Sequence, residues 1–225
     1  MNFDSVLIIT YGRSGSTLLQ GLLNSIDGCL IRGENNNFCY YLYKTWESIY
    51  KSTKRHSPLI QNPWYGSHLL NDQLFLSQSK NLIYALLLAD QAHNPLIKCY
   101  GFKEIRYVES YVGNDFQEYL LFLKKVFPNV AFIFNTRKVD QVAKSEWWAE
   151  MEKKEVENII LKAENNFLEH MIHFPDNTFH ITYEDLVDKT SNLHNLFSFL
   201  GVSYDDNKID EVLNRPHSYK TIAFK

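Results

Sequence analysis

Val6-Leu-Ile-Ile-Thr-Tyr11 runs without a break into Gly12-Arg-Ser-Gly-Ser-Thr17 and then Leu18-Leu-Gln-Gly-Leu-Leu23. A short apolar run without polar alternation is the pattern of a strand covered on both faces. The order strand, glycine-bearing turn, helix decides the fold class, because such a turn leaves the first helical N–H groups unpaired and pointing one way. Together with the positive end of the helix dipole they form an anion site. Gly12 and Gly15 let the backbone approach a ligand, Arg13 adds charge, and Ser16 and Thr17 add hydroxyl donors; Ser14 and Leu18 complete the candidate cradle. The segment is similar to a P-loop but has no lysine before Ser16, so Arg13 takes that work or the ligand is not a nucleoside triphosphate. An ordinary βα turn of an α/β protein is the alternative for this segment taken alone.

Outward from it, Val130-Ala-Phe-Ile-Phe134 is a second apolar strand, ending in Asn135-Thr-Arg137, with Ser145 eight residues after the arginine. This pair has the makings of a second phosphate clamp. Between and beyond the two segments the pattern predicts short strands at 26–32, 96–102 and 178–182. It predicts helices at 16–25, 35–50, 72–92, 111–125, 139–150, 153–173 and 190–200, with a surface loop over 51–70 and a polar tail. Alternating strands and helices argue one α/β domain over 1–225, a parallel sheet with helices on both faces. Both anion motifs fall at the C-terminal ends of strands, where open α/β sheets bind ligands.

Read as an ordered pair, the two segments resemble the sulfotransferase family, which has a P-loop-like α/β fold. Its members move a sulfuryl group from 3′-phosphoadenosine 5′-phosphosulfate (PAPS), releasing 3′-phosphoadenosine 5′-phosphate (PAP). The family's [KR]-S-G-[ST]-T loop corresponds to Arg13-Ser14-Gly15-Ser16-Thr17, and its arginine and serine for the 3′-phosphate to Arg137 and Ser145. Phe179-His-Ile-Thr-Tyr-Glu-Asp-Leu186 is a weaker third likeness, so the resemblance touches residues 6 to 187. It implies PAPS as donor, no metal, and an acceptor hydroxyl.

Sulfuryl transfer follows the logic of phosphoryl transfer, an in-line step stabilised by positioning and charge. It needs a base for the acceptor. Glu34, after the second predicted strand and so expected beside the phosphate loop in a doubly wound sheet, is the leading candidate, since several family members use a glutamate in this position; a surface carboxylate capping a helix through Asn35 to Asn37 or pairing with Arg32 is its alternative. Lys103, in Gly101-Phe-Lys-Glu-Ile-Arg106, resembles a lysine near the catalytic centre in the tyrosine and heparan sulfate branches, with a salt bridge to Glu104 or to a neighbouring helix as the alternative. Arg13 is a third candidate, stabilising the transferring group. His93 is the histidine alternative for the base. Trp147 and Trp148 are expected to pack against the sheet, with a share in an adenine pocket as the lesser reading.

The family's glycine- and lysine-rich C-terminal segment, found in its phenol and steroid branch, has no counterpart here. Arg215-Pro-His-Ser-Tyr-Lys220 is a basic turn that either closes over the cofactor or stays solvated. The likeness is therefore to the glutamate-base branch acting on tyrosyl proteins, glycolipids and carbohydrates, including bacterial members. The variable part of such enzymes is here about 35–75, whose aromatics suit a neutral saccharide, glycolipid or small alcohol acceptor.

Composition sets the outer bounds. The 225 residues are 45% hydrophobic and 22% charged, ordinary for one globular domain with a sizeable core. A net charge of −3 gives no global basic field for nucleic acid or an anionic membrane. Of six arginines, Arg13 and Arg137 fall at the expected phosphate contacts, where a planar fork is most useful. No stretch approaches the roughly 20 apolar residues of a membrane span, and the first strand starts too early for a signal peptide. Cys29, Cys39 and Cys99 lack metal-ligand spacing and read as buried thiols. A cytoplasmic, metal-free enzyme is the resulting expectation; a P-loop phosphotransferase and a non-catalytic nucleotide- or PAPS-binding protein are the other classes.

Overall fold

The computed structural model describes residues 1–215. In chain order the elements are β1 (Ser5–Ile9), α1 (Ser16–Asn24), β2 (Cys29–Arg32), α2 (Phe38–Thr53), α3 (Asp72–Leu88), β3 (Cys99–Glu104), α4 (Glu109–Val112), α5 (Phe116–Val126), β4 (Val130–Thr136), α6 (Val139–Val142), α7 (Lys153–His173), β5 (Thr178–Thr182), α8 (Tyr183–Val187), α9 (Ser191–Leu200) and α10 (Asp206–Leu213). The five strands form one parallel sheet in the order β2-β3-β1-β4-β5. β1 is the centre, with β3 and β4 on opposite sides of it. The connections therefore leave β1 in both directions, which opens a crevice at its C-terminal end.

Two cores follow from the period-2 alternation of these strands. Leu7 and Ile9 of β1, with Phe132 and Phe134 of β4, face one core that is closed by α2, α3, α4, α5 and α7. Val6 and Ile8, with Ala131 and Ile133, face the other, closed by α1, α8, α9 and α10. Both faces being covered explains why β1 is buried at every position. At Gly101 of β3 the sheet is too close for a side chain, because an added Cβ would collide with the Val6 carbonyl of β1. Three predicted elements end differently. The helix over 139–150 stops at Val142; Ser145 is extended, and a 3-10 turn over Glu146–Glu150 follows. The tail contains α10, started by Asp205 capping the N–H groups of Asn207 and Lys208 and seated by buried Ile209 and Val212. The loop over 51–70 begins only after Thr53 and includes a 3-10 turn at Ser67–Leu69.

His170 of α7 lies wholly inside the first core, against Phe132, Phe134 and Phe174. Its Nδ1 meets Gln117 Oε1 at 2.9 Å, so the neutral ring donates from that nitrogen. Burial, and then the nearby Lys124 and His173, push its pKa down to about 4. A histidine depressed in the folded state contributes stability above its unfolded pKa and loses it as pH falls toward the folded value. Stability should therefore drop by up to about 3 kcal/mol as pH falls from about 6.5 to about 4. Urea titrations across that range check this; His170→Phe should have a flatter profile, and an equally steep one would contradict the assignment.

Candidate active site

Above the C-terminal end of β1 the chain turns sharply through Gly12–Gly15. Arg13 and Gly15 both have positive φ, 68° and 82°. Gly15 cannot carry a side chain for a second reason: an added Cβ would meet the Tyr183 ring. The Thr10 hydroxyl lies 2.6 Å from the Asn135 carbonyl and 2.7 Å from Ser14 Oγ, tying the ends of β1 and β4 together under the loop. Among the described residues the N–H groups of Gly15, Ser16 and Thr17 meet no protein acceptor, whereas the N–H of Leu18 is committed to the Gly15 carbonyl at 2.9 Å. Leu18 also buries its side chain in the second core. The free donors thus stop one residue before the end of the sequence cradle.

On the β4 side, the structure brings the two motifs into contact. Arg13 donates through Nε to Ser145 Oγ at 2.8 Å, and Arg137 donates through Nη1 to the Arg13 carbonyl at 3.3 Å. The Arg137 guanidinium lies over the Tyr183 ring, 4.1 Å from its centroid, and its Nε is buried without a partner among the described residues. Glu146 approaches Arg13 at 3.7 Å, an exposed pair of small energetic weight. Two guanidiniums and a hydroxyl therefore converge, with donor capacity to spare.

Residues outside the two anion motifs also hold this region, among them the tryptophans expected to pack against the sheet. Past the break in the predicted helix, Trp148 is buried and donates its indole N–H to the Gly12 carbonyl at 3.0 Å. Trp147 packs against Gly12 from outside. The Tyr11 hydroxyl sits 2.6 Å from Glu164 of α7 and accepts from the Arg137 N–H at 3.0 Å. Burial raises the pKa of the Glu164 carboxyl, against the opposing hydrogen bond from Tyr11. Tyr183 and Asp185 belong to the third sequence likeness. Asp185 serves the capping box of α8; burial favours its neutral form, but donors from Asn192, Thr190 and Thr182 outweigh that and hold it down at about 2.

The other half of the site sits on the β3 side. Glu34 was expected next to the phosphate loop through an adjacent β2; in the sheet β3 lies between β2 and β1. Glu34 instead approaches through Lys103 of β3, whose Nζ is 2.6 Å from Glu34 Oε1. Lys103 pairs in register with Ile8 of β1, so its side chain shares the face of α1. The expected alternatives do not form: Arg32 binds the Leu87 and Leu88 carbonyls and Asp90, and Glu104 points to the opposite face from Lys103. His93 lies before β3, in the turn-rich segment between Gln91 and Cys99.

Glu104 organises this half. It is wholly buried, and its two oxygens accept from the N–H groups of Asn35, Asn37, Ile105 and Arg106 and from Arg106 Nη1. It thereby fixes the backbone immediately after Glu34 and sets Arg106, whose Nη1 is 3.8 Å from Glu34 Oε2. The signal available in sequence was only a second charge at a strand end. Among the described residues no three His, Cys, Asp or Glu side chains converge to hold a metal ion, and no helix is long and apolar enough to cross a membrane. Arg215 meets Glu211 at 3.7 Å on the surface, and the rest of the basic turn to Lys220 lies outside the described residues.

A parallel sheet whose central strand hands a glycine loop to a helix, with cations flanking it on both neighbouring strands, defines an α/β enzyme of anionic group transfer. The comparisons are specific: the sulfotransferase family model matches residues 5–206, and the chain belongs to that family. Among solved structures it is similar to the sulfotransferase domain of the Synechococcus PCC 7002 olefin synthase, at 20% identity and a TM-score of 0.59, over 97% of this chain and 78% of that one. It is also similar to a sulfotransferase domain from the curacin biosynthetic pathway, at 18% identity and a TM-score of 0.54, over 94% and 78%. No curated protein matches the chain in sequence.

Removing the Glu104 carboxylate leaves Arg106 and four backbone donors without their acceptor. Glu104→Ala should cost about 3 kcal/mol of folding stability, the scale for breaking a buried ionic contact. Urea unfolding reads this directly, and a loss below about 1 kcal/mol would mean the carboxylate does not hold the Glu34 loop.

Proposed function

We propose that the chain transfers a sulfuryl group from PAPS to an acceptor hydroxyl, with Glu34 as general base. The observation that carries the reading is the 2.6 Å contact of Glu34 with Lys103 at the end of the strand beside the glycine loop. It puts a proton acceptor and a cation at one place, next to a row of unpaired N–H donors.

The residues fit the donor on two grounds. The unpartnered N–H groups of Gly15, Ser16 and Thr17, with the Ser14, Ser16 and Thr17 hydroxyls and the Gly12 turn, suit the 5′-phosphosulfate. The orphaned Arg137 Nε, with Ser145 and the Arg13 side chain, suits the 3′-phosphate. Arg13, expected at the transferring group, donates to Ser145, which supports a place for it on the 3′-phosphate side of the site. Bound PAPS supplies a sulfuryl group on a phosphate leaving group. Glu34 takes the proton of the acceptor hydroxyl as its oxygen bonds to sulfur. Lys103 offsets the negative charge that grows on the bridging oxygen as the sulfur–oxygen bond to phosphate breaks. Arg106 and Glu104 keep the Glu34 loop in place.

The acceptor is assigned to the variable segment over 35–75. Part of its aromatic content serves the core: Tyr43 is buried against Tyr119 and Phe122, and Tyr40 is hydrogen-bonded to Asp115. Tyr41 is exposed and suits contact with a saccharide, glycolipid or small alcohol. A cytoplasmic location and catalysis without a metal are part of the proposal.

Glu34→Gln should retain PAP binding and lower turnover by about 10²–10⁴-fold, the usual weight of a general base. Transfer of labelled sulfate from PAPS to a panel of sugar and alcohol acceptors measures it; wild-type rates in the variant would move the base elsewhere. Arg137→Ala should weaken PAP by about 1.5–3 kcal/mol through loss of a charged hydrogen bond. Unchanged affinity would reject the 3′-phosphate assignment.

A further inference from the structure

The net charge of −3 conceals one segment of opposite character. From Lys51 to Leu70 the chain carries Lys51, Lys54 and Arg55 and no carboxylate at all. Lys51 is spent on Glu47 at 2.6 Å, but among the described residues Lys54 and Arg55 form no ion pair. They lie over the rings of Tyr50 and Trp64 instead, at 4.9 and 4.8 Å.

The same segment projects six large apolar side chains: Leu59, Ile60, Trp64, Tyr65, Leu69 and Leu70. Leu59, Ile60 and Leu69 are 65%, 69% and 76% exposed, so they are protruding tips rather than walls of a groove. The segment is nevertheless held in shape. Ser57 pairs with Tyr65, the Ser57 N–H donates to the Trp64 carbonyl at 3.4 Å, and the Nδ1 atoms of His56 and His68 lie 2.8 Å apart across its base. The 16 residues of α2 carry the chain about 24 Å along the helix axis from the Glu34 loop before this segment begins.

We propose that residues 54–70 dock the enzyme on an anionic lipid surface. Protruding aliphatic tips suit a fluid apolar medium, which closes around them without a preformed socket. Trp64 and Tyr65 have the amphipathic rings favoured at the headgroup level. Lys54 and Arg55 at the base supply charge complementary to anionic headgroups, each worth a multiple in partitioning. A rigid protein partner would have to bring hollows for separate tips and carboxylates for the two cations; a lipid surface meets both demands at once. Residues 54–70 lie within the variable segment given to the acceptor but outside the proposed catalytic and donor-binding set, so docking is tested independently of the donor site.

Co-sedimentation with vesicles tests it, using phosphatidylcholine alone and phosphatidylcholine mixed with phosphatidylserine. The full chain should pellet preferentially with the phosphatidylserine vesicles, less so as salt is raised. Leu59→Glu with Ile60→Glu should abolish pelleting. Lys54→Glu with Arg55→Glu should lower the affinity for phosphatidylserine vesicles by about tenfold or more while leaving the weak zwitterionic binding. All four side chains are exposed, so both variants should keep the wild-type melting curve and the same PAP affinity. If one variant fails to fold, the other decides. A wild-type chain that stays in the supernatant with both vesicle types would overturn the proposal, as would variants that pellet like wild type. A wild-type dimer in sedimentation velocity, dissolved by Leu59→Glu with Ile60→Glu and indifferent to vesicles, would also overturn it and assign the patch to a second copy of the chain.

Discussion

Everything in the site hangs on β1, a strand covered on both faces that must release its chain at the sheet's upper edge. Because β3 and β4 flank it and run parallel, their C-terminal ends deliver side chains to the same rim. Among the described residues the glycine loop's N–H groups find no protein acceptor, and the Thr10 hydroxyl fastens its underside to β4. The anion site is thus a consequence of topology. Charge is then supplied from the two neighbours, Lys103 from β3 and Arg137 just beyond β4.

The two halves differ in how they hold their charges. On the β4 side, Arg13 and Arg137 approach through a carbonyl, a serine and a tyrosine ring, with unused donors remaining. Such an arrangement keeps like charges near one another and favours an anion between them. On the β3 side the charges are neutralised internally: Glu104 with Arg106, and Glu34 with Lys103. In the proposed mechanism, breaking the second pair is the chemically useful event, because Lys103 gains a new anionic partner as Glu34 accepts a proton. On this proposal the phosphate side binds and the β3 side reacts.

Much of the fold was legible because its signals are local. The apolar runs of β1 and β4, the Gly12–Gly15 turn, the 21-residue amphipathic pattern of α7 and the strand over Thr178–Thr182 are all written in consecutive residues. What sequence concealed rests on contacts between distant residues. Past the break after Val142, an indole reaches Gly12, 136 positions away. The place of Glu34 depends on sheet order, and its contact with Lys103 spans 69 positions. Glu104 looked like a neighbour for Lys103 until the strand's alternation sent the two to opposite faces. α10 carries only two buried apolar residues, too few to mark a helix. The charge balance of the whole chain likewise averaged away the cationic, apolar segment after α2.

The central claim is that a glycine loop and an arginine–serine pair jointly bind one ligand through two separated phosphate groups. Calorimetric titration with PAP, set beside adenosine 5′-phosphate and ATP–magnesium, tests it most directly. PAP should bind tightly and adenosine 5′-phosphate, which lacks the 3′-phosphate, much more weakly. Equal affinity for the two, or a preference for ATP–magnesium, would contradict it.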